Sequence, residues 1–405
     1  MQQVREAVIV DYQRTAFSRS RPREPEKDLF NSLRMDEAAA MLIKEILKRT
    51  KVKPEDINEL LLGCAQPWGE QFMYGGRNIT FLAELPFSVA AQGVDRQCAS
   101  SMSTIHNGAM EIMLGYSDVV ISCGIEHMTH VPMPGPGIDP SQIISRPSNL
   151  LFNDPRFKKY DYMTSMSMGM TAEKLFSISG LTREDMDKWA VRSHQRAAKA
   201  LKEGFFKGEI LPIEVTLPDG SKKVVDYDVS IREDTTLEGL APLKPAFKPD
   251  GNITAGNASP LNAGATAMML MSREKAKEYK LKPLASVVSM GWAGVDPTIM
   301  GAGPVPAARA ALKHAGLQVK DIDFWELNEA FAIVPLYAIK ELGIDPEKVN
   351  VKGGAIAIGH PLGATGTRLV GTLARILNEE NGTYGLASPC IGGGQGAATI
   401  IKREK

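Results

Sequence analysis

"MDEAAAMLIKEILKRTKVKPEDINELLLGCA", residues 35–65, and "PVPAARAALKHAGLQVKDIDFWELNEAF", residues 304–331, carry the same signals in the same order. Each reads as an amphipathic helix, a polar turn and a short apolar strand, with "VKPEDINEL" answered by "QVKDIDFWEL". The likeness continues downstream. "VDRQCASSMSTIHNGAM" (94–110) and "VNVKGGAIAIGHPLGATGTRLVGTLARIL" (349–377) each run from an apolar strand through a Ser- or Gly-rich turn into a long helix. Each half then closes on an apolar strand, "SDVVISCGIEHM" (117–128) and "YGLASPCIGGGQGAATIIK" (384–402). Alternating strands and helices imply mostly parallel sheets with helices packed on them. The expected fold is therefore α/β, built from two related halves, each with its own sheet.

Residues of about 125–245 fall outside the repeat and read as an insertion crossing over the first half. The expected domains are 1–124 with 246–272 as the first half, 125–245 as an inserted loop region, and 273–405 as the second half. The insertion carries "HVPMPGPGIDP" (130–140), "YDYMTSMSMGMTAEKLF" (160–176) and the charged helix "TREDMDKWAVRSHQRAAKALKEGFF" (182–206). Loops on a rigid scaffold are where ligands usually bind. Met163, Met166, Met168 and Met170 supply a pliable apolar wall for a chain-like ligand, or else ordinary core.

Bulk composition narrows the function. A chain of 405 residues exceeds one ordinary core. Its 47 basic and 47 acidic residues balance, which argues against a nucleic-acid binder or a polybasic membrane-surface protein. Four cysteines make no disulfide framework. No apolar run reaches the roughly 20 residues a membrane span needs. The N-terminus shows no signal or transit pattern, so a cytoplasmic location is expected.

The chemistry gathers at three turns. Cys98 stands at an expected helix start, where backbone N–H groups and the helix dipole favour a thiolate, with small Ala99, Ser100 and Ser101 behind it. His360 sits in a Gly-flanked turn before Pro361 and is the candidate base. Cys390 opens "CIGGGQGAA", whose Gly392, Gly393 and Gly394 expose N–H groups suited to an oxyanion. That run lacks the spacing and the lysine of a nucleotide loop. Asn328 in "NEAFA" adds an amide at the end of the repeated strand. Two thiols, an imidazole, an amide and a glycine nest suit acyl transfer with carbon-acid chemistry. His127 and His130 invite a metal reading, but no third ligand follows at a suitable spacing. Cys64 and Cys123 read as inert core, and His106 needs no function.

Taken in order, "CASS", "GIEHMTHVP", "MGMTAE", "TAGNAS", "NEAFA", "GGAIAIGHPLGATG" and "CIGGGQG" resemble the thiolase family from the first strand to nearly the last residue. The resemblance implies two βαβαβαββ halves layered α/β/α/β/α with an inserted loop domain. It implies Cys98 as the acyl-carrying nucleophile, His360 as its base, and Cys390 as the acid–base for the α-carbon of acetyl-CoA. One oxyanion hole comes from the Cys98 and Gly392 N–H groups, the other from His360 and a water held by Asn328. Met168, Phe247, Ala255 and Ser259 match the positions that bind the pantetheine arm of CoA. CoA is then a substrate, with acyl-CoA its partner, and no metal or redox cofactor is called for.

Two departures stand out: Ala263 replaces a usual aspartate in "NASPLNAG", and Pro260 a smaller residue. Ser167, where short-chain biosynthetic members carry a histidine, tilts the resemblance toward the degradative subgroup. The expected reaction is CoA-dependent cleavage of 3-ketoacyl-CoA, as in fatty acid β-oxidation. The alternatives are condensation to acetoacetyl-CoA, a decarboxylating ketoacyl synthase, and a non-catalytic acyl-CoA carrier. The resemblance further suggests a homodimer or homotetramer and association with a hydratase–dehydrogenase. Asp95 and Arg96 find no role at this level.

Overall fold

The protein is described from a computed structural model covering residues 4–72, 74–133 and 148–404. Part of the Pro- and Gly-rich stretch "HVPMPGPGIDP", from 134 onward, lies outside the described residues. The first half runs β1 (Ala7–Thr15), α1 (Met35–Thr50), β2 (Glu59–Gly63), α2 (Arg77–Leu82), β3 (Ala90–Val94), α3 (Ser100–Met113), β4 (Val119–His127) and, after the insertion, β5 (Asn262–Ser272). Its strands lie in the order β3-β2-β4-β5-β1, with β5 antiparallel to both neighbours. Strands β1, β4 and β5 are buried along their whole length. Burial on both faces explains why β1 and β4 read as apolar runs without strict alternation.

The insertion contributes α4 (Met168–Ser179) and α5 (Arg183–Glu203). The Thr182–Asp185 capping box starts α5, and Gly204, at φ 78°, ends it. The sequence boundary at 125 falls inside β4, which continues to His127. A fully buried ion cluster fastens the insertion to β1. Arg14 Nε donates to Glu209 at 2.6 Å and Arg14 Nη1 to Asp228 at 2.6 Å. Each charge there would be costly alone, so the cluster holds only when the insertion is docked.

The second half runs β6 (Ala285–Gly294), α6 (Pro304–Ala315), β7 (Phe324–Leu327), α7 (Ile333–Leu342), α8 (Leu362–Glu379), β8 (Tyr384–Ser388) and β9 (Gln395–Arg403). The order β7-β8-β9-β6 repeats β2-β4-β5-β1 of the first half. One expected strand is missing. The stretch before the His360 turn makes only a single bridge, Trp325 to Val349. Asn350 there adopts φ 48°, which ends the extended path. Its side-chain amide instead accepts from Leu327 N–H at 2.9 Å and donates to Leu327 C=O at 2.8 Å, standing in for the absent strand.

The expectation of two separate sheets also needs correction. Strands β1 and β6, each the edge of its half, pair antiparallel at Val8–Ser286 and Ile9–Ala285. The two sheets therefore form one continuous ladder. The layers are as expected: α1 packs on the first sheet, α6 on the second, and α3 and α8 between them. These inner helices are buried nearly all round. They approach closely because Gly366 has no side chain, since a Cβ there would lie 2.1 Å from the Met102 backbone nitrogen. Thr367 N–H donates to Ser101 Oγ at 3.0 Å across the same contact. The N-terminal ends of both inner helices thereby meet, and the expected reactive residues sit at those ends. No helix among the described residues is long and apolar enough to cross a membrane.

Candidate active site

Cys98 lies in the single 3-10 turn Gln97–Ala99 that leads into α3. Gln97 takes the left-handed φ of 45°, uncommon for a residue with a side chain. Asp95 accounts for it: its Oδ1 accepts from Gln97 N–H at 2.8 Å and from Gln97 Nε2 at 3.1 Å. The residue left without a role by the sequence thus shapes the turn that presents the nucleophile. Arg96, its neighbour, lies over the Trp292 ring at 5.8 Å, and its backbone N–H donates to Ser100 Oγ.

Burial pushes the Cys98 thiol up to about 11, against hydrogen bonds from the Gly392 and Cys98 N–H groups. This corrects the expectation of a thiol activated by its helix start. The N–H groups are there, but desolvation of the thiolate outweighs them. The same pair of N–H groups is the expected oxyanion hole, and both face the sulfur. Cys390 is fully buried in the short strand Cys390–Ile391, which packs against the 3-10 turn of Cys98. Burial, and then the neighbouring Cys98, hold its thiol well above the ordinary range.

His360 enters from the second half. Gly359 before it has φ 118°, and a Cβ there would lie 2.8 Å from the Asn262 side chain. That close packing lets Asn262 Oδ1 accept the His360 N–H at 2.8 Å. The side-chain contacts determine the tautomer. Thr365 Oγ1 donates to Pro361 C=O at 2.8 Å, so it accepts from His360 Nδ1–H at 2.6 Å. Asn328 Nδ2 donates to Nε2 at 3.3 Å, which leaves Nε2 as the lone-pair nitrogen. Burial, with the Arg368 charge, pushes the imidazolium down to about 3, so the ring is neutral at physiological pH. Among the described residues Asn328 Oδ1 is buried without a partner, as an atom meant to hold a water would be. No direct hydrogen bond joins Cys98 to His360 among the described residues. They are drawn together through Leu362, which packs in one cluster with Cys98, Ala65 and Met128.

Among the expected pantetheine contacts, Met168 packs against the Gly392 loop. Met168 Sδ lies 3.5 Å from where a Gly392 Cβ would be. Phe247 covers Gly169 and packs edge-on against Phe331 at 5.9 Å. Ser259 N–H and Oγ both donate to Ala330 C=O. Ala255 is exposed in the turn beyond Thr254. Met163 and Met166 are exposed, not ordinary core.

Three positioning groups escaped the sequence reading. Fully buried Glu126 accepts from Ala65 N–H, Gln71 Nε2 and Gly363 N–H at 3.0, 2.8 and 2.9 Å. Glu329 accepts from Trp189, Ser193, Asn350 and Ile356, tying α5 to the loop before His360. Asn262 is the third. All three lie within or beside quoted motifs, but nothing in the residue types marks a brace. His127 and His130 stack at 3.6 Å, and His130 bonds Glu70. No group of metal-binding side chains occurs among the described residues. His106 bonds Thr399 inside the core, and Cys64 and Cys123 are buried.

Sequence profiles of the thiolase N-terminal and C-terminal domains match residues 7–274 and 281–403. A 3-ketoacyl-CoA thiolase of Marinobacter nauticus is 44% identical over 404 residues, 98% of each chain. The crystal structure of human mitochondrial 3-ketoacyl-CoA thiolase in complex with CoA superposes with a TM-score of 0.86 at 35% identity, covering 99% of this chain and 98% of that one. That of Bacillus anthracis acetyl-CoA acetyltransferase gives 0.87 at 36%, covering both chains fully.

Two measurements test this geometry. Iodoacetamide alkylation of Cys98 in the free protein should keep accelerating through pH 9, because the thiol's pKa is pushed up to about 11. A rate plateau below pH 8 would show a resting thiolate instead. Thr365→Val removes the acceptor for Nδ1–H and should lower kcat about 10²-fold with little change in KM. Thr365→Ser should restore it; an unchanged kcat in the valine variant would remove Thr365 from any role in setting the tautomer.

Proposed function

This chain belongs to the thiolase family, and from that premise we propose that it cleaves 3-ketoacyl-CoA with CoA, giving acetyl-CoA and a shortened acyl-CoA. It is an acyltransferase acting in fatty acid β-oxidation. The observation that carries the reading is the meeting of Cys98, Cys390, two N–H groups and a neutral His360 with Nε2 unprotonated.

On substrate binding, His360 Nε2 takes the Cys98 proton as the sulfur attacks the 3-keto carbon. The bond between C2 and C3 breaks, leaving the acyl group on Cys98 and an acetyl-CoA enolate. Cys390 donates its proton to the enolate carbon. The Cys98 and Gly392 N–H groups stabilise the oxyanion on the acyl side, and His360 with a water on Asn328 the enolate oxygen. His360 passes the proton it took from Cys98 to the Cys390 thiolate, which restores both groups, and then deprotonates a second CoA. The CoA sulfur attacks the thioester carbon, the bond to the Cys98 sulfur breaks to release the shortened acyl-CoA, and His360 returns the proton to Cys98. Each step uses protein groups and CoA, so the reading calls for no metal or redox cofactor. Met168, Phe247, Ala255 and Ser259 hold the pantetheine arm. The relative named for cleavage favours that direction; condensation to acetoacetyl-CoA is the second reading, favoured by the acetyltransferase among the similar structures. The few cysteines, all reduced, suit a cytoplasmic setting, where a hydratase–dehydrogenase would supply the 3-keto substrate.

The reading includes a homodimer or homotetramer. Edge strand β3 is exposed, and around it stand Phe87 at 87% and Tyr74 at 71% exposure. Such an edge calls for a cover. Light scattering should give a mass two or four times 44.0 kDa, and a single 44.0 kDa species would overturn it.

The division of labour between the thiols has its own test. Cys98→Ala should abolish thiolysis. Cys390→Ala should still allow an acyl-CoA to acylate Cys98, while α-proton exchange on acetyl-CoA is lost. Equal loss of both activities in Cys390→Ala would overturn the assignment.

A further inference from the structure

We propose that Glu326 and Arg368 are a positioning pair for the enolate side of the reaction, pinning the end of β7 to α8 so that Asn328 stays on His360. This rests on the reading of the site as a thiolase centre and adds two residues that the reading leaves unused.

The enolate side is built from two elements far apart in sequence. Asn328 follows directly on β7 (Phe324–Leu327), and His360 stands two residues before α8 (Leu362–Glu379). Asn328 Nδ2 donates to His360 Nε2 at 3.3 Å, longer than the usual ~2.7–3.2 Å, so a small slide of strand against helix would break the contact. The strand does not hold itself. It is four residues long, lies at the edge of the sheet and ladders along one side only, with β8. Its other side carries the single Trp325–Val349 bridge and the Asn350 amide.

Glu326 and Arg368 supply the tie between strand and helix. Glu326 Oε2 accepts from Arg368 Nη1 at 2.6 Å, and both side chains are fully buried. Glu326 reaches Arg368 and Asn328 reaches His360, as side chains two apart along one extended segment do. On the helix, Thr365 and Arg368 are three apart and share a face. Thr365 takes the His360 Nδ1–H, so one face of α8 carries both the group that orients the ring and the group that holds the strand. Strand and helix are thereby pinned at two points, about 6.6 Å apart along the strand.

The tie has no substitute. Arg368 Nε and Nη2 and Glu326 Oε1 have no partner among the described residues, so each side chain is oriented by the other. Burial pushes the Glu326 carboxyl up to about 8 against the Arg368 charge, and Oε2 accepts from Nη1 in either form. Apolar side chains of similar size often hold a core as well as a buried ion pair does. Stability therefore does not account for this pair, whereas its place, two residues before Asn328 and one turn beyond Thr365, suits a geometric role.

The test uses acetyl-CoA as the one ligand for two reactions of the full-length protein. Acetyl transfer to Cys98 draws on the Cys98 and Gly392 N–H groups. Exchange of the α-protons with solvent deuterium draws on His360 and the water on Asn328. In Glu326→Met/Arg368→Met, which removes both charges together, the ratio of exchange rate to acylation rate should fall at least about tenfold. Glu326→Gln, which keeps an acceptor for Nη1, should retain most of that ratio. An unchanged ratio in the double variant, whether both rates fall together or neither does, would overturn the positioning role, and so would a double variant that does not fold. Wild-type protein that neither takes up the acetyl group nor exchanges protons would instead overturn the thiolysis reading.

Discussion

Glu126 is the joint on which the site depends. Its carboxylate is fully buried, at the end of β4 in the first half, yet one of its donors is Gly363 N–H at the start of α8 in the second. The others, Ala65 and Gln71, belong to the loop after β2. A buried carboxylate is tolerated only when its oxygens are satisfied. Moving α8 would therefore strand both a charge and the N-terminal N–H of a helix. Burial pushes this carboxyl up to about 7 against those three donors. Its group is thus balanced between forms, and only the intact contact between halves keeps the anion. The close passage of Gly366 past Met102 brings the helices together, and Glu126 sets where along them they meet.

The repeat was legible because order survives where individual contacts do not. Helix, turn and strand recur in both halves with matching signals, and the strand order in the two sheets agrees. What failed to show was local. "VNVKGG" carries the apolar spacing of a strand, but left-handed Asn350 ends it and replaces its hydrogen bonds with an amide. The joining of β1 to β6 was equally hidden, since an edge strand in sequence looks the same whether it meets water or another sheet.

The site divides in the same way. Residue type and turn context pointed to Cys98, His360, Cys390, Asn328 and Gly392, and the structure sets Asn328 on His360 and packs Cys390 and Gly392 against Cys98. The electrostatics were misread. A helix start favours a thiolate by a local effect, whereas desolvation depends on everything packed around the sulfur. Asp95, Glu126, Asn262 and Glu329 are ordinary polar residues in sequence. Only their partners, from 2 to well over 200 positions away, make them braces.

A resting site with two neutral thiols and a neutral imidazole also orders the chemistry. Each sulfur resists ionisation through burial, and a charge on Cys98 makes one on Cys390 harder still. The two cannot work as simultaneous thiolates. In the proposed cycle they need not. Once Cys98 carries an acyl group it is uncharged, and the repulsion opposing ionisation of Cys390 is gone. Cys390 then gives up its proton to the enolate at the stage when its own anion is least opposed. The sequence of bond cleavage followed by protonation thus follows from the spacing of two buried sulfurs, and CoA re-enters only after the first has been neutralised.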